Sequence, residues 1–561
     1  MKKISLLLVV MSGVVSAQFT DYNIVKNIQT KNKSVVVSAH PLASAAGVQV
    51  IRQGGNAFDA AIATQYALAV VYPQAGNIGG GGFLVATKAN GEQLAIDFRE
   101  VAPKKANRDM YLDAQGKADT DLSQNGRLAV GVPGSVAGFY EILKHAKLPM
   151  KALIQPAIDL AEKGFAITEK EAQLLNQERE AFIKHNQNAI VFVKDTPWKA
   201  GDLLIQKDLA KTLKRIQQFG LKGFYEGETA RLIVEEMKRG NGIITLEDLK
   251  NYRVKTRKPL TFDYKGHQIV SMPLPSSGGP LLAQMLKMAA FENLENYQPN
   301  APEAVQIMVE AERRAYADRA EYMGDPDFIK DQTEFLTSDA YLRKRWQTFN
   351  KNQATPSAEV GKIINPNQES TQTTHLSILD KEGNAVSVTT TLNGYYGSKV
   401  VVSGAGFFLN NEMDDFSIKP GVPNMFGAVG GEANAIQAGK RMLSSMAPTV
   451  VLKNNKAYMV VGTPGGTTIP TSVFQAIVDV IDFKISPNLA VNLPKFHQQW
   501  LPEYVSVEKD FPRETIKALE KKGYQFKVRG AIGKTEMIVA DEAGNITAIA
   551  DNRGDDAVAV E

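Results

Sequence analysis

The sequence predicts a layered α+β fold rather than a doubly wound parallel sheet. Two alanine-rich helical patterns follow each other between residues 44 and 72, and strand patterns occur in pairs joined by short turns near Gly383, Asn454 and Gly544. Strands in pairs with helices between and around them are typical of layered α+β structure. With 561 residues, 44% of them hydrophobic, the chain can form one large unit or two closely packed parts.

The elements follow in order along the first third of the chain. The first helical pattern stops at Gly54 and Gly55, the second begins at Asn56 or Asp59 as its N-cap, and Pro73 ends it. A glycine run then leads into a strand pair, whose second strand ends at residues 97–100.

The rest of the chain continues this alternation. Residues 108–300 alternate helical patterns with turn clusters, and a long helix is predicted over residues 301–323, with Pro302 at its first turn. Residues 350–370 are polar and show neither helical nor strand periodicity, which predicts a flexible segment. A further helical pattern covers residues 471–483.

A threonine-rich hairpin follows the flexible segment. With residues 380–384 as a five-residue loop, Leu379 pairs with Ala385 and Thr373 with Thr391. A bulge would shift this register by one residue. One face is then mostly polar (Thr373, His375, Ser377, Leu379, Ala385, Ser387, Thr389, Thr391), and the other mostly apolar (Thr374, Leu376, Ile378, Val386, Val388, Thr390). Facing threonines also stabilise ordinary sheets, so the hairpin alone does not identify a reactive group.

The ends and the composition narrow the class of protein. Residues 1–17 have the charged start, apolar run and small-residue end of a signal peptide, which predicts a periplasmic or secreted protein without a membrane anchor. Without Lys2 and Lys3, 62 basic residues face 60 acidic ones, a balance that argues against nucleic acid as a partner. The chain has no cysteine and no His-x-x-x-His spacing, so neither a thiol nucleophile nor a zinc site is indicated, and we expect no cofactor.

A threonine hydroxyl needs a base beside it, and the α-amino group of the same residue is such a base once the preceding bond is cut. The stretch Gln372-Thr373-Thr374-His375 resembles the processing site of the γ-glutamyltransferases (γ-glutamyltranspeptidases), which are N-terminal nucleophile hydrolases. The resemblance implies a four-layer αββα sandwich built jointly by two autoproteolytic chains, residues 18–372 and 373–561, that remain a heterodimer. It also implies glutathione and other γ-glutamyl compounds as substrates, with water, amino acids or dipeptides as acceptors.

Further residues stand in the order and context of this family. A γ-glutamyl group carries a carboxylate, an ammonium and a scissile amide, and each needs its own partners. The resemblance implies carboxylate binding by Arg99, Ser444 and Ser445, and ammonium binding by Asn393, Glu412 and Asp415. It places Thr391 beside the nucleophile Thr373, with Gly465 and Gly466 holding the oxyanion and Phe426 on a lid over residues 417–440. Glu412 replaces a glutamine found in some bacterial members, and Met442 a proline.

Each residue also has an ordinary interpretation. Arg99 could form a surface ion pair, Asp415 could cap a turn, the two serines could lie in a loop, and Gly465 and Gly466 could simply make a turn. The stretch 417–440 could be a disordered insertion. Two other functions remain open: a cephalosporin or glutaryl acylase of the same superfamily, and an uncleaved, inactive exported binding protein.

Overall fold

Two antiparallel sheets packed face to face form the centre of the protein. The computed structural model describes residues 23–361 and 373–561, so the predicted signal peptide and Gln372 lie outside the described residues. In spatial order, the first sheet contains Asn23–Val25, Ala557–Val560, Val35–Ser38, Thr374–Leu379, Ala385–Thr391, Gly81–Thr87, Gln93–Asp97 and Lys255–Arg257. The second contains Asn27–Lys31, Asn545–Ile549, Glu536–Ala540, Lys456–Gly462, Thr449–Lys453, His267–Ser271 and Leu260–Tyr264.

Alternation of side chains along the strands builds the layers. Val36 and Leu84 pack against helices on the outer face of the first sheet, whereas Val37 and Phe83 point to the second sheet. Helices also cover the outer face of the second sheet. This order of helix, sheet, sheet and helix confirms the predicted four-layer αββα sandwich.

Two groups of helices form the outer layers. The first sheet is covered mainly by Pro41–Arg52, Ala57–Val71, Ser135–Ile142, Met150–Lys163, Lys207–Phe219 and Gly227–Lys238. The second is covered mainly by Gly278–Ala289, Pro302–Tyr322, Asp339–Trp346, Thr468–Ile481, Pro487–Asn492 and Arg513–Glu520. Shorter helices are Thr120–Gln124, Glu169–Gln177, Arg179–His185, Lys222–Tyr225, Leu246–Asn251, Thr333–Leu336 and Ser357–Val360. Two small sheets complete the fold: Phe165–Ala166 with Leu203–Leu204, and Phe496–His497 with Val505–Glu508 and Phe526–Arg529.

Several predicted elements are confirmed. Asn56 caps the second helix, its side chain accepting from the backbone N–H groups of Phe58 and Asp59. The long helix begins at Pro302 and ends at Tyr322. The hairpin has the predicted five-residue loop and register, from Thr374 opposite Thr390 to Leu379 opposite Ala385.

The prediction of a flexible segment over residues 350–370 is wrong for the first half of that segment. Residues 357–360 form a short helix, and Ser357 accepts a hydrogen bond from Trp500 Nε1 at 3.0 Å through its carbonyl and one from Arg313 at 2.9 Å through its hydroxyl. These tertiary contacts fix a stretch that has no periodicity of its own. Residues 362–370 lie outside the described residues.

Both faces of the hairpin are buried. The apolar face packs against the helices, while the polar face points to the second sheet, where Ser377 donates to Glu536 O at 3.1 Å and Ser387 to Val461 O at 3.2 Å. The hydroxyl groups thus form hydrogen bonds between the two sheets. In the part of the chain that the structure describes, no helix is long and apolar enough to cross a membrane.

Candidate active site

Thr373 directly precedes the strand Thr374–Leu379 at the centre of the first sheet. This strand runs between Val35–Ser38 and Ala385–Thr391, so both neighbours fix its position. Thr373 is 6% exposed and Thr391, at the end of the partner strand, is 3% exposed. Both line one cavity with an empty volume of about 300 Å³. Thr391 Oγ1 accepts the backbone N–H of Asn393 at 2.8 Å, which orients its hydroxyl group.

Arg99 is fully buried in the same cavity, two residues after the strand Gln93–Asp97. Its Nη1 pairs with Glu412, its Nη2 lies 2.5 Å from Asp415 Oδ2, and its Nε donates to Met442 O at 3.3 Å. Glu100 Oε2 lies 3.8 Å from Nη1. The surface ion pair is therefore excluded, and Arg99 instead holds two predicted ammonium-binding carboxylates together.

Burial shapes the ionisation of this cluster. It raises the pKa of Glu100 to about 7 and the pKa of Glu412 and Asp415 above the usual range. Although burial opposes its charge, Arg99 has a raised pKa because Glu412, Asp415 and Glu100 surround it. No amide, guanidinium or hydroxyl group of the described residues donates to the buried Glu412 Oε2, and the Glu412 carboxyl lies next to that of Glu100. The cluster thus has spare acceptor capacity for a cation with N–H groups.

Ser444 and Ser445 line the cavity and are almost completely buried. The backbone N–H of Ser444 donates to Pro275 O at 2.9 Å, which anchors this stretch. Ser445 Oγ accepts from Arg319 Nη2 at 3.3 Å. Because that lone pair is taken, the Ser445 hydroxyl can direct its own hydrogen to a ligand.

Arg319, which was not predicted as a site residue, belongs to the long helix Pro302–Tyr322 and lines the cavity. It is 7% exposed, and its Nε donates to Ser277 Oγ at 3.0 Å. Among the residues that the structure describes, no carboxylate lies within 4.0 Å of it. Charged residues on a helix usually form a solvated face, so the sequence offered no signal that this arginine would be buried.

Gly465 and Gly466 form the turn between the strand Lys456–Gly462 and the helix Thr468–Ile481. Their φ angles of 143° and 58° lie in the region that favours glycine. Their carbonyls accept from the N–H groups of Thr468 and Ile469, at 3.1 and 3.2 Å, whereas their own N–H groups donate to no atom of the described chain. Such a pair of free N–H groups beside Thr373 can bind an anionic oxygen.

The stretch predicted to be a lid packs against this turn through Phe426. Phe426 is 4% exposed, and its ring lies so close to Gly466 that a Cβ there would come within 2.5 Å of it. Two hydrogen bonds fasten this stretch to the short 3-10 helix Glu412–Asp415: the backbone N–H of Met425 donates to Asp414 Oδ2 at 2.8 Å, and Asn424 Nδ2 to Asp415 Oδ1 at 3.0 Å. The stretch is therefore no disordered insertion.

His375 lies two residues after Thr373 in sequence but outside this cavity. Its ring contacts Thr389 Oγ1 at 2.8 Å and Ser377 Oγ at 3.1 Å, and burial lowers its pKa to about 3. It is a neutral part of the layer between the sheets. Within residues 23–361 and 373–561, no three His, Asp or Glu side chains form a group that could hold a metal ion.

The cavity therefore brings together Thr373, Thr391, Arg99, Asn393, Glu412, Asp415, Ser444, Ser445, Phe426 and Gly466 from distant parts of the chain. Gly465 lines a second cavity, which also reaches Thr373. The Thr373 hydroxyl group thus shares a cavity with two arginines and several buried carboxylates, next to a glycine turn with free N–H groups. This arrangement suits an acyl compound that carries both an ammonium and a carboxylate.

Comparisons with known proteins agree with this geometry. Residues 43–561 match the family model of gamma-glutamyltranspeptidase. The glutathione hydrolase proenzyme of Escherichia coli strain K12 is 45% identical over 93% of this chain and 91% of its own. Among solved structures, the Helicobacter pylori gamma-glutamyltranspeptidase is 48% identical over 57% of this chain and 93% of its own, with a TM-score of 0.56. The cephalosporin acylase from Bacillus halodurans is 26% identical over 96% of both chains, with a TM-score of 0.83. The chain belongs to the gamma-glutamyltranspeptidase family.

Proposed function

We propose that the protein is a γ-glutamyltransferase with glutathione hydrolase activity, and that Thr373 is its nucleophile. The observation that carries this proposal is the buried Glu412 oxygen that receives no donor, beside Arg99 and in the cavity that contains Thr373. The family membership and the E. coli relative support the same activity.

Donor binding exchanges one set of ion pairs for another. The α-ammonium of the γ-glutamyl group binds Glu412, Asp415 and the side-chain oxygen of Asn393. The α-carboxylate binds Arg99 and the hydroxyls of Ser444 and Ser445, with Arg319 directly behind Ser445. Because a zwitterion brings one charge of each sign, it replaces the contacts between Arg99 and its carboxylates without leaving a buried charge unpaired.

The reaction proceeds in two steps, formation of a γ-glutamyl ester and its cleavage. The Thr373 hydroxyl attacks the γ-carbonyl while the α-amino group of Thr373 takes its proton, and the N–H groups of Gly465 and Gly466 bind the oxyanion. The C–N bond breaks, and the amino group returns the proton to the departing amine. Water or an acceptor amine then attacks the γ-glutamyl ester and restores the Thr373 hydroxyl. Thr391 lies beside the nucleophile and orients its hydroxyl group.

The free amino group requires a cut between Gln372 and Thr373. The Thr373 hydroxyl attacks the preceding carbonyl, the peptide C–N bond breaks to give an ester, and water hydrolyses that ester. The products are chains of about residues 18–372 and 373–561, which stay together as a heterodimer. Residues 1–17 serve as the signal peptide for export to the periplasm or the medium.

N-terminal sequencing of the small chain tests the nucleophile, because any start other than Thr373 would overturn the assignment. Thr373→Ala is expected to leave one uncut band on a denaturing gel. Thr374→Val is the matched control, since Thr374 is the next residue and its buried hydroxyl has no hydrogen-bond partner within the described part of the chain. That variant should still be cut into two bands.

Substrate choice separates this function from an acylase. The enzyme should hydrolyse γ-glutamyl-p-nitroanilide and discriminate strongly against glutaryl-p-nitroanilide, which lacks the ammonium that Glu412 and Asp415 would bind. The discrimination is expected to exceed about a hundredfold, since it leaves buried charged acceptors unpaired. A preference for the glutaryl compound would favour the acylase.

A further inference from the structure

A second cavity meets the first one at Thr373. It is lined by Tyr72, Thr373, Tyr395, Pro464, Gly465, Ala531, Gly533 and Lys534, with an empty volume of about 380 Å³. Thr373 is the one described residue that lines both cavities. The γ-glutamyl group accounts for the first cavity and leaves the second without an assigned ligand.

Lys534 is held beside the glycine turn by its own backbone. Its N–H donates to Thr463 Oγ1 at 2.8 Å, directly before Pro464 and Gly465. Gly533 has a φ of 71°, and a Cβ there would lie 2.6 Å from Thr463 Oγ1 and 3.0 Å from Ser472 Oγ. Only glycine allows such a close approach, so the position of Lys534 next to the oxyanion turn is built into the fold.

The Lys534 ammonium has free donor capacity. It donates to Tyr72 Oη at 3.2 Å, and among the described residues no carboxylate lies within 4.0 Å of it. Tyr72 and Asp556 raise the pKa of Lys534, whereas burial lowers it. The rise is the larger effect, so the ammonium stays charged at neutral pH. An ammonium has three N–H donors, and one hydrogen bond leaves two for a ligand.

The chemistry of the transfer step requires room for a second substrate beside Thr373. The attacking amine must reach the carbonyl carbon of the Thr373 ester while the γ-glutamyl group still fills the first cavity. By the same path in reverse, the amine released from glutathione leaves Thr373. In amino acids, dipeptides and the dipeptide part of glutathione alike, this amine belongs to a molecule with a free carboxylate.

We propose that the second cavity is the acceptor and leaving-group site, and that Lys534 and Tyr72 bind the free carboxylate of the amino acid or dipeptide. This proposal rests on the proposed function. In the transfer step the amine nitrogen forms an amide bond to the γ-carbonyl carbon, the ester C–O bond breaks, and the amine proton reaches the Thr373 oxygen through its α-amino group. Tyr395 forms part of the wall of the cavity.

Two acceptors that differ only in their terminal charge provide the test. Transfer from γ-glutamyl-p-nitroanilide to glycylglycine and to glycylglycinamide is measured for the unsubstituted enzyme, Lys534→Met and Lys534→Arg. The unsubstituted enzyme should prefer the acid over the amide by roughly tenfold in kcat/KM, because one charged hydrogen-bonded pair is gained. Lys534→Met should bring this ratio close to one, whereas Lys534→Arg should retain a preference for the acid.

The ratio is taken within each variant, so a general loss of activity or folding does not imitate the result. An equal ratio in the unsubstituted enzyme and Lys534→Met would overturn the acceptor site, as would an unsubstituted enzyme with no preference for the acid. Failure of the unsubstituted enzyme to hydrolyse γ-glutamyl-p-nitroanilide at all would instead refute the proposed function.

Discussion

Replacing Gly466 by alanine tests how the lid and the glycine turn fit together. The new Cβ would lie 2.5 Å from Cδ1 and 3.0 Å from Cγ of Phe426. Carbon atoms pack at about 3.5–4.0 Å, so the ring would have to move by about 1 Å. We therefore expect Gly466→Ala to displace Phe426 and to open the cavity that contains Thr373.

The magnitude follows from two separate costs. A φ of 58° costs an alanine about 1–2 kcal/mol. Overpacking against the ring adds about 1–3 kcal/mol. In a Phe426→Ala background the second cost disappears, because the ring is absent. The two substitutions should therefore couple by about 1–3 kcal/mol in kcat/KM for γ-glutamyl-p-nitroanilide.

The assay is a double-mutant cycle on processed enzyme, with the two-chain state checked on a gel. Gly266→Ala is the matched control for the backbone cost, since Gly266 lies outside the lid, has a φ of 77°, and a Cβ added there would meet no atom within 4 Å. The effect of this control substitution on kcat/KM should be the same with and without the Phe426 ring. Additive effects of Gly466→Ala and Phe426→Ala, within about 0.5 kcal/mol, would refute the proposed contact.

Three further outcomes are expected. Arg319→Met should raise the donor KM roughly tenfold, with partial rescue by Arg319→Lys, because it removes a buried cation without a nearby carboxylate; an unchanged KM would exclude a binding role. Asp479 has a pKa raised by burial from 3.8 to about 7, so its stabilising effect is lost as pH rises between these values. Asp479→Asn should therefore raise the thermal midpoint at pH 8 but not at pH 4, unlike exposed Glu514→Gln. Gly47→Ala should lower the midpoint, because its Cβ would collide with Thr64; an unchanged midpoint would show that the helices adjust freely.

Local chemistry made much of the fold predictable. The register of the hairpin follows from a loop in which Gly383 has a φ of 96°, and the start of the second helix follows from the cap at Asn56. The helix Pro302–Tyr322 begins where proline is tolerated. In each case the signal and its structural effect lie within a few residues of one another.

The burial of the site could not be predicted in the same way. Nothing near Arg99 in sequence shows that Glu412, more than three hundred residues later, will pair with it. The family resemblance placed the two residues in one site, whereas the neighbouring Asp97 and Glu100 alone favoured a surface ion pair. Neither the family resemblance nor the local pattern indicated Arg319, because many of its neighbours in sequence are charged. Only the tertiary packing shows which of these charged side chains are buried.

The interleaving of strands affects how the enzyme could refold after the proposed cut. The first sheet places Ala557–Val560 between Asn23–Val25 and Val35–Ser38, and the second joins Asn27–Lys31 to Asn545–Ile549. Strands from both sides of Thr373 thus share both large sheets. The proposed cut would therefore make folding hard to reverse: the uncut chain folds as one molecule, whereas two separated chains would have to rebuild both sheets by a bimolecular encounter. We expect denatured processed enzyme to recover poorly, although its Thr373→Ala precursor refolds as a single chain.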